Sequence, residues 1–357
     1  MDDITARLKN KDPLIQKKAA NDLKVLVEGQ PSVLNEANKR IFEMMQGDVP
    51  DKIGGILAID ALINNNIETT TLARFTNYLK MVLPGADAQT MILAARALGR
   101  LAVPGGAITA LFVQNEVNSA LEFLQGDRHE TRRYAAALVL RELARNAPTL
   151  IYTHVPQILD LIWIGLRDQK VVIREASAEA LSACLQIIYE RESSMRMEWY
   201  RKIYDEAFKG LKSNNIDQIH GSLLVYRELL QHAKPYIVER YKLVCDSVLR
   251  LKDNRDGLIR RTVISLIPDL ANFNSTEFIA AYLPKCMTHL LNQLKKDRDR
   301  SMSFTAIGQV ACAVGSNMGP YLDSILSSVK EGLSLKGRNR VGNEAPIFQC
   351  IGMLAKA

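Results

Sequence analysis

The chain has 357 residues and a formal net charge of +7, with 47% hydrophobic and 24% charged residues. This balance is typical of a folded protein and excludes an intrinsically disordered chain. Aromatic residues make up only 6%, and Leu, Ala and Ile supply most of the apolar side chains. Such a composition favours packed helices over β-sandwiches. We therefore predict an all-α protein.

The sequence predicts neither a membrane span nor an export signal. The longest apolar runs, such as residues 158–166, are interrupted by Asp160 or bounded by charge, well short of the roughly 20 residues that a span needs. The N-terminus begins with two acids, Asp2 and Asp3, where a secretory signal would carry an apolar core. We expect a cytoplasmic protein.

Five cysteines are widely spaced, and each lies in an apolar helical pattern. We predict that they are buried free thiols rather than disulfides or metal ligands. They are Cys184, Cys245, Cys286, Cys312 and Cys350.

An acidic residue recurs at polar breaks between predicted helices, about 41 residues apart on average, which is within the roughly 40 to 47 of HEAT and armadillo repeats. These anchors are Asp12, Asp51, Asp87, Asp127, Asp168, Asp217, Asp256 and Asp299, with Glu344 in the ninth place. We predict one α-solenoid over residues 1–357, with about nine HEAT-type helical hairpins in a right-handed superhelix.

The residue eight positions after each Asp anchor is apolar. These residues are Ala20, Ile59, Ala95, Ala135, Ala176, Val225, Ile264 and Ile307. Three residues further along, the same face carries Leu, Ile or Val except at Glu179 and Glu228. This spacing predicts that the second helix of each hairpin packs on its neighbours.

The anchors have a structural interpretation that needs no chemistry. An Asp at a break can cap the next helix by accepting backbone N–H bonds, and basic residues early in the second helices can pair with acids along the stack. We assign the capping role to Asp51, Asp87, Asp127, Asp168 and Asp256. We assign the pairing role to Arg133, Arg174 and Arg260.

Prolines and one polar loop mark local departures from regular helix. Pro156, Pro268 and Pro284 lie within helical patterns and are predicted to kink them. Residues 336–343, KGRNRVGN, form a polar, glycine-containing break and predict a flexible loop. The chain stops inside an apolar helix, whereas a stack normally ends on a polar face, so we expect a fragment of a longer chain.

The sequence contains no pattern for catalysis, metal binding or cofactor binding. Its five histidines are scattered, without HExxH spacing, and it lacks the phosphate loop, the dinucleotide fingerprint, the GxSxG elbow and the kinase HRD and DFG motifs. We therefore predict no catalytic residue, no metal and no cofactor.

Three basic clusters are the candidates for phosphate binding. Acids interleave the first two, and aromatic residues do not alternate with the cations, so we predict no nucleic-acid binding. The clusters are Arg128 with Arg132 and Arg133, then Lys295, Lys296, Arg298 and Arg300, and finally Lys336, Arg338 and Arg340.

Several sequence strings resemble the N-terminal HEAT region of the target-of-rapamycin serine/threonine kinases, and the later ones are similar to the fungal forms. The strings between the repeat positions are specific to that family. They include KIGGILAIDALI at 52–63, RFTNYLKMVLP at 74–84, HETRRYAAALVLRELARNAPT at 129–149, IREASAEALSACL at 173–185, IRRTVISLIPDLA at 259–271 and FTAIGQVACAVGSNMGPYLDSI at 304–325.

The resemblance implies a non-catalytic scaffold segment whose parent kinase carries its ATP-binding and rapamycin-binding domains elsewhere. In that family the solenoid helps to build a dimeric signalling complex and docks the Raptor-type or Rictor-type subunit. It also offers a surface to a Rheb-type small GTPase in animals. The resemblance further implies peripheral association with the vacuolar or lysosomal membrane, through the complex only.

By resemblance, the GTPase surface falls on the early helices, although the loop NNNIETTT at 64–71 departs from the animal pattern. A plain solvated loop is the alternative interpretation. The candidate partner-binding residues are Asn64, Asn65, Asn66, Glu68, Thr69, Arg74, Asn77 and Lys80.

Two other classes of function remain as alternatives. A HEAT scaffold of another kind, such as a karyopherin, a phosphatase scaffold or a coat adaptor, would share the period but not the strings quoted above. An autonomous enzyme is opposed by the lack of any nucleophile, base or phosphate-loop pattern.

Overall fold

The computed structural model describes residues 1–64, 67–85, 87–104, 106–191, 193–334 and 344–357. These residues form helices and contain no strand. The predicted flexible loop at 336–343 and the third basic cluster lie outside the described residues. The fold divides into two compact units, Met1–Glu192 and Ser193–Ala357.

Unit 1 consists of helical hairpins joined by short turns. Its helices are α1 (Asp2–Leu8), α2 (Pro13–Gly29), α3 (Leu34–Met45), α4 (Val49–Leu62), α5 (Thr69–Val82), α6 (Ala88–Arg100), α7 (Gly106–Gly126), α8 (Glu130–Asn146), α9 (Pro148–Ile151), α10 (Val155–Leu166) and α11 (Val171–Glu190). Short 3-10 turns at Pro31–Val33, Leu83–Gly85 and Tyr152–His154 connect some of them.

Unit 2 repeats the same plan. Its helices are α12 (Arg196–Leu211), α13 (Ile216–His232), α14 (Lys234–Ile237), α15 (Tyr241–Leu249), α16 (Gly257–Phe273), α17 (Ser275–Ala281), α18 (Leu283–Leu294), α19 (Asp297–Val314), α20 (Leu322–Ser334) and α21 (Glu344–Lys356). Val238–Arg240 and Gly315–Tyr321 are 3-10 segments.

Each acidic anchor lies at or near the junction between the two helices of a pair. Each second helix packs on the next second helix along the chain. In unit 1 the order is α2, α4, α6, α8 and α11, and in unit 2 it is α13, α16, α19 and α21. Every apolar residue eight positions after an Asp anchor is buried. The predicted all-α solenoid of stacked hairpins is confirmed, and its extent as a single array stays a prediction.

The two acids that break the apolar pattern are held by arginines. Glu179 is half-exposed and accepts a hydrogen bond from Arg141 on the preceding second helix. Glu228 is buried, with its side chain only 6% exposed, and Arg227 donates to its carboxylate over 3.0 Å. Pairing with a cation offsets part of the cost of taking each carboxylate out of water.

The capping prediction holds for three anchors. Asp12 accepts a bond from the backbone N–H of Leu14 at the start of α2. Asp87 accepts from Thr90 at the start of α6, and Asp256 accepts from two backbone N–H groups of α16. Each satisfies donors that the first helical turn leaves without partners.

The same prediction is wrong for other anchors. Asp48 caps α4, and Asp51 lies inside its first turn, 3.5 Å from the Lys9 ammonium. Asp127 and Asp168 precede the N-caps of α8 and α11 and each accepts the backbone N–H two residues later. These acids order the turn before the helix instead of capping the helix.

Asp217 and Asp299 lie in the first turns of α13 and α19. There they face the positive end of the helix dipole. In the first of these helices, Asn215 is the residue whose side chain makes the cap bond.

Of the arginines assigned to pairing along the stack, Arg133 and Arg260 lie beside an acid of the next repeat. Arg133 donates through Nε to Asp168 Oδ2 of the next repeat over 2.6 Å and through Nη1 to the Asp127 carbonyl over 2.9 Å. Arg174 donates to the Asp168 carbonyl over 2.6 Å. In unit 2, Arg260 donates to the Asn254 carbonyl over 2.8 Å and lies 4.0 Å from Asp299. Arg133 and Arg260 thus each join their own turn to the next repeat.

Two of the proline predictions and one of the cysteine predictions need correction. Pro268 lies inside α16 as expected, but Pro156 and Pro284 occupy the first turns of α10 and α18. Proline fits there because the N–H it lacks has no intrahelical partner at that position. Cys312 is exposed, whereas the other four thiols are buried.

One stretch, Pro148–Leu166, is long and apolar enough to span a membrane by length and composition alone. In the structure it is divided among α9, a 3-10 turn and α10. Helix α10 packs on α7 and α11. The same apolar composition serves a repeat helix packed against its neighbours.

We expect the ion pair between Arg133 and Asp168 to contribute measurably to the free energy of unfolding of unit 1. We expect Asp168→Ala to lower the free energy of unfolding by about 2 kcal/mol, because it leaves a mostly buried guanidinium without its charged acceptor. Urea unfolding followed by circular dichroism measures this. The matched control is Glu130→Ala, which removes an exposed ion pair to Lys170 between the same two repeats. Equal losses for both variants would contradict a special role for the Asp168 pair.

The glycine at position 54 allows a close approach between α4 and α1. A Cβ built there would lie 2.0 Å from the Leu8 carbonyl oxygen, which also accepts a hydrogen bond from the buried Gln16 side chain. We expect Gly54→Ala to destabilise unit 1 by about 1 to 3 kcal/mol through overpacking. Gly29→Ala is the control, because a Cβ there meets nothing within 4 Å. A thermal melt in which the two variants behave alike would refute the packing role.

Candidate partner-binding surface

Helix α5 carries most of the residues that the sequence nominates for partner binding. It buries Leu72, Phe75, Leu79 and Val82, a spacing that places one apolar stripe against the rest of unit 1. The helix begins after Glu68, whose extended backbone ends the preceding loop without a side-chain cap. Its opposite face is left to the solvent.

The described candidates are all exposed, but they do not form one site. Thr69 and Asn77 face α7 and line a cleft between the two helices, and Lys80 lies beside it. Asn64 and Glu68 line a different cavity, between α2, α4 and α5. Arg74 is exposed on α5 and lines neither cavity. Asn65 and Asn66 lie outside the described residues.

The cleft between α5 and α7, which we call the α5–α7 cleft, has a volume of about 240 Å³. Its walls are mixed. Thr69, Ala73 and Asn77 come from α5, and Leu111, Phe112, Asn115 and Glu116 come from α7. Leu111 is 60% exposed. An apolar side chain of a partner would find matching surface here.

Lys80 forms an ion pair between two helices of unit 1. Its ammonium lies 2.9 Å from Glu116 Oε1, and the Glu116 side chain is only 8% exposed. A buried carboxylate needs such a cation. Lys80 therefore holds α5 to α7, and the polar positions left open to a partner on this face are Thr69, Arg74 and Asn77.

The second cavity, of about 280 Å³, opens where the loop after α4 meets α2. Val27, Pro31, Leu34 and Phe75 supply apolar walls, and Lys24, Glu28 and Glu68 are charged groups among the other lining residues. Such a hollow fits an inserted apolar side chain. It lies on the other side of α5 from the α5–α7 cleft.

The sequence prediction missed the contribution of α7. Glu116 and Leu111 stand in a largely apolar stretch, which reads as an ordinary first helix of a repeat. A lone acid in such a stretch is a signal that a cation lies opposite it. Which cation it is could not be read from the sequence, because Lys80 lies 36 residues earlier.

Three arginines of the first two basic clusters, Arg132, Arg133 and Arg300, form ion pairs with acids. Arg132 pairs with Asp127 over 3.1 Å and stacks over Phe123, and Arg300 pairs with Asp297 over 2.7 Å.

Among the described residues, no group of three His, Cys, Asp or Glu side chains could hold a metal ion.

One carboxyl group in unit 2 has a strongly shifted pKa. Burial is the main cause that raises the pKa of Asp269 to about 6; the nearby Arg227 opposes the shift and Glu228 adds to it. Shifted carboxyls often mark catalytic sites. Neither of the two cavities described above borders Asp269, which lies on the second helix α16.

The shift of Asp269 predicts a pH-dependent stability. The folded state binds this proton more tightly than the unfolded chain, so the group costs stability as the pH rises from about 4 through about 6. We expect Asp269→Asn to stabilise the protein by about 1 to 2 kcal/mol at pH 7.5, after discounting for partial exposure, and to lose this gain near pH 4. Urea titrations at both pH values measure it, with Asp323→Asn as the exposed control. A gain of the same size at both pH values would contradict the assignment.

Comparison with known proteins gives two kinds of likeness. No protein-family model matches the chain. The fold is similar to that of the karyopherin Kap121p, with a TM-score of 0.60 for the form bound to Ste12p, over 99% of this chain and 37% of that one. At 12% identity, this likeness concerns the fold alone.

Similarity in sequence identifies the family. The chain is 42% identical to the serine/threonine-protein kinase tor1 of Schizosaccharomyces pombe over 98% of its length. It is 38% identical to TOR2 of Saccharomyces cerevisiae and to TOR of Oryza sativa, over 90% and 91% of its length. It spans 16%, 14% and 13% of these relatives. The chain is therefore a helical-repeat, non-kinase segment of the target-of-rapamycin family of serine/threonine kinases.

Proposed function

We propose that this chain is a scaffold segment that assembles a target-of-rapamycin kinase complex. The observation that carries the proposal is the 42% identity over 98% of the chain to a kinase of that family, in a segment folded as stacked helical pairs. Stacked pairs present long side-chain surfaces without a catalytic centre. In this role the segment contributes binding surface, and the kinase reaction belongs to the whole protein.

The partners that we propose are a Raptor-type or Rictor-type subunit, a second copy of the kinase and a Rheb-type GTPase. The exposed side of α5 and the α5–α7 cleft are the surface of unit 1 that best suits a protein partner. Polar groups such as Asn77 lie beside the exposed Leu111, the mixture of apolar centre and polar rim that is typical of interfaces. We propose a cytoplasmic location, with membrane contact only through the assembled complex.

The alternative function, transport of cargo by a karyopherin, draws on the fold likeness alone. At 12% identity to Kap121p, helical repeats of unrelated function are expected to look alike. The sequence similarity to the kinases over nearly the whole chain favours the kinase scaffold.

A pull-down of the purified chain against the Raptor-type subunit of the same organism tests the proposal. We expect binding that survives a series of rising salt concentrations, because an interface with an apolar centre is screened less than an exposed charge contact. Loss of all binding by moderate salt, or no binding by a chain shown to be helical by circular dichroism, would contradict the docking role.

A pair of matched variants locates the surface. We expect Arg74→Glu with Asn77→Arg to weaken binding about tenfold, the size of effect found at the centre of an interface. Lys234→Glu with Gln231→Arg changes the net charge equally on exposed positions of unit 2 and should leave binding unchanged. Equal weakening by both pairs would show that the effect comes from charge alone, not from α5.

A further inference from the structure

Unit 2 contains a cleft that the proposed scaffold role does not use. It lies between the turn joining α12 to α13 and the turn joining α15 to α16, and has a volume of about 460 Å³. We call it the turn cleft. Its lining includes Lys212, Arg250 and Arg255 together with Leu211, Ile216 and Leu251.

Three of the charged residues at this cleft are exposed cations without a carboxylate partner in the described structure. Arg250 and Arg255 make no ion pair there, and the Lys212 ammonium lies 3.9 Å above the Phe208 ring. The one acid in the lining, Asp256, already accepts two backbone N–H bonds of α16. The cleft lining therefore carries three cations against one carboxylate, and that carboxylate is bonded to the start of α16 and not to the cations.

The turn that carries Arg250 and Arg255 is held in place by hydrogen bonds. Asn254 accepts the backbone N–H of Asp256 over 2.9 Å through its side chain. Arg260 donates to the carbonyls of Asn254 and Arg255 over 2.8 and 2.9 Å. These bonds fix the backbone from which the two arginines project, so binding a ligand there costs little backbone entropy.

The facing turn is equally ordered. Ser213 accepts the backbone N–H of Asn215 over 3.0 Å, and Asn215 caps α13 by accepting from Gln218. Directly after it, Ile216 is 44% exposed. An apolar side chain thus sits at the mouth of a cleft whose rim is cationic.

This combination selects the class of ligand. An extended acidic segment of protein would place carboxylates on Arg250 and Arg255 and an apolar side chain against Ile216 and Leu251. Nucleic acid recognition would call for stacking surfaces, and none of the described residues that line the cleft is aromatic. A bilayer surface would meet a protruding patch more readily than a recessed one.

We propose that the turn cleft of unit 2 binds an acidic peptide segment that carries an apolar side chain between its acids. The site is separate from the α5 surface in the residues it uses and does not depend on the proposed complex. Arg250 and Arg255 bind the carboxylates, Lys212 adds charge from the opposite turn, and Ile216 contacts the apolar side chain.

Fluorescence anisotropy with the full 357-residue chain tests the proposal. The probe is a fluorescein-labelled peptide of sequence DELDELDE, and the control peptide NQLNQLNQ keeps the leucines without the charge. We expect the acidic peptide to bind at moderate salt and the neutral one to bind at least about tenfold more weakly, the loss expected for removing charge-assisted hydrogen bonds. Equal binding of the two peptides, or none of either, would overturn the proposal.

Two double variants separate a site from general attraction. Arg250→Glu with Arg255→Glu should weaken binding of the acidic peptide about tenfold or more. Lys234→Glu with Lys285→Glu, at two other exposed cations of unit 2, changes the net charge by the same amount and should leave binding within about twofold. Equal losses would show diffuse attraction by a basic protein and would overturn the proposal.

A third variant tests the apolar contact, and two other probes test the ligand class. Ile216→Gln should weaken binding of DELDELDE but not of the leucine-free peptide DEEDEEDE. Phosphatidylserine vesicles and single-stranded DNA labelled in the same way should not depend on Arg250 and Arg255. If either probe depends on these arginines more strongly than the peptide does, the assignment to a peptide ligand is wrong. Circular dichroism shows that each variant is folded.

Discussion

Burial of the apolar faces of the second helices is the constraint on which the rest of the structure depends. A single hairpin leaves such a face open on each side, so it gains stability only from its neighbours. In unit 1 the stack runs from α2 through α11, and in unit 2 from α13 through α21. Small residues make this close contact possible, as where Gly99 of α6 meets Glu142 of α8. The stacked second helices then set the positions of the turns and of the surface helices.

Charged groups fix the details that apolar burial leaves open. Apolar contact is not directional, whereas a guanidinium bonds acceptors at defined angles. Arg133 illustrates this, because it binds a carbonyl of its own turn and a carboxylate of the next repeat at once. Arg260 has the same position in unit 2. The turn between two helices is thereby kept in one conformation, and that order extends to the side chains that the turn exposes.

The side chains available to partners are those that neither the buried apolar faces nor the hydrogen bonds of the turns use. Helix α5 is held in place by its buried apolar stripe and by the ion pair of Lys80 with Glu116. The residues on its outer face are not needed to hold it there. The cations of the turn cleft are free for a similar reason, because Asn254, Arg260 and the Asp256 cap already hold their turn. In both places the side chains that we propose to bind a partner lie on elements that remain ordered without it, as is common where rigid scaffolds carry function in loops and outer helices.

The amino-acid sequence alone predicts the helical class, the repeat period and the buried face of each second helix, because these depend on local spacing and on the apolar character of residues such as Ala95 and Ile264. It also determined the family, through strings specific to it. The tertiary structure decided which anchors cap a helix, since Asp51 and Asp256 look alike in sequence and differ only in where the helix begins. It alone paired Lys80 with Glu116 and brought the turns carrying Lys212 and Arg250 to one cleft. Residues so far apart in sequence meet only after the repeats have stacked.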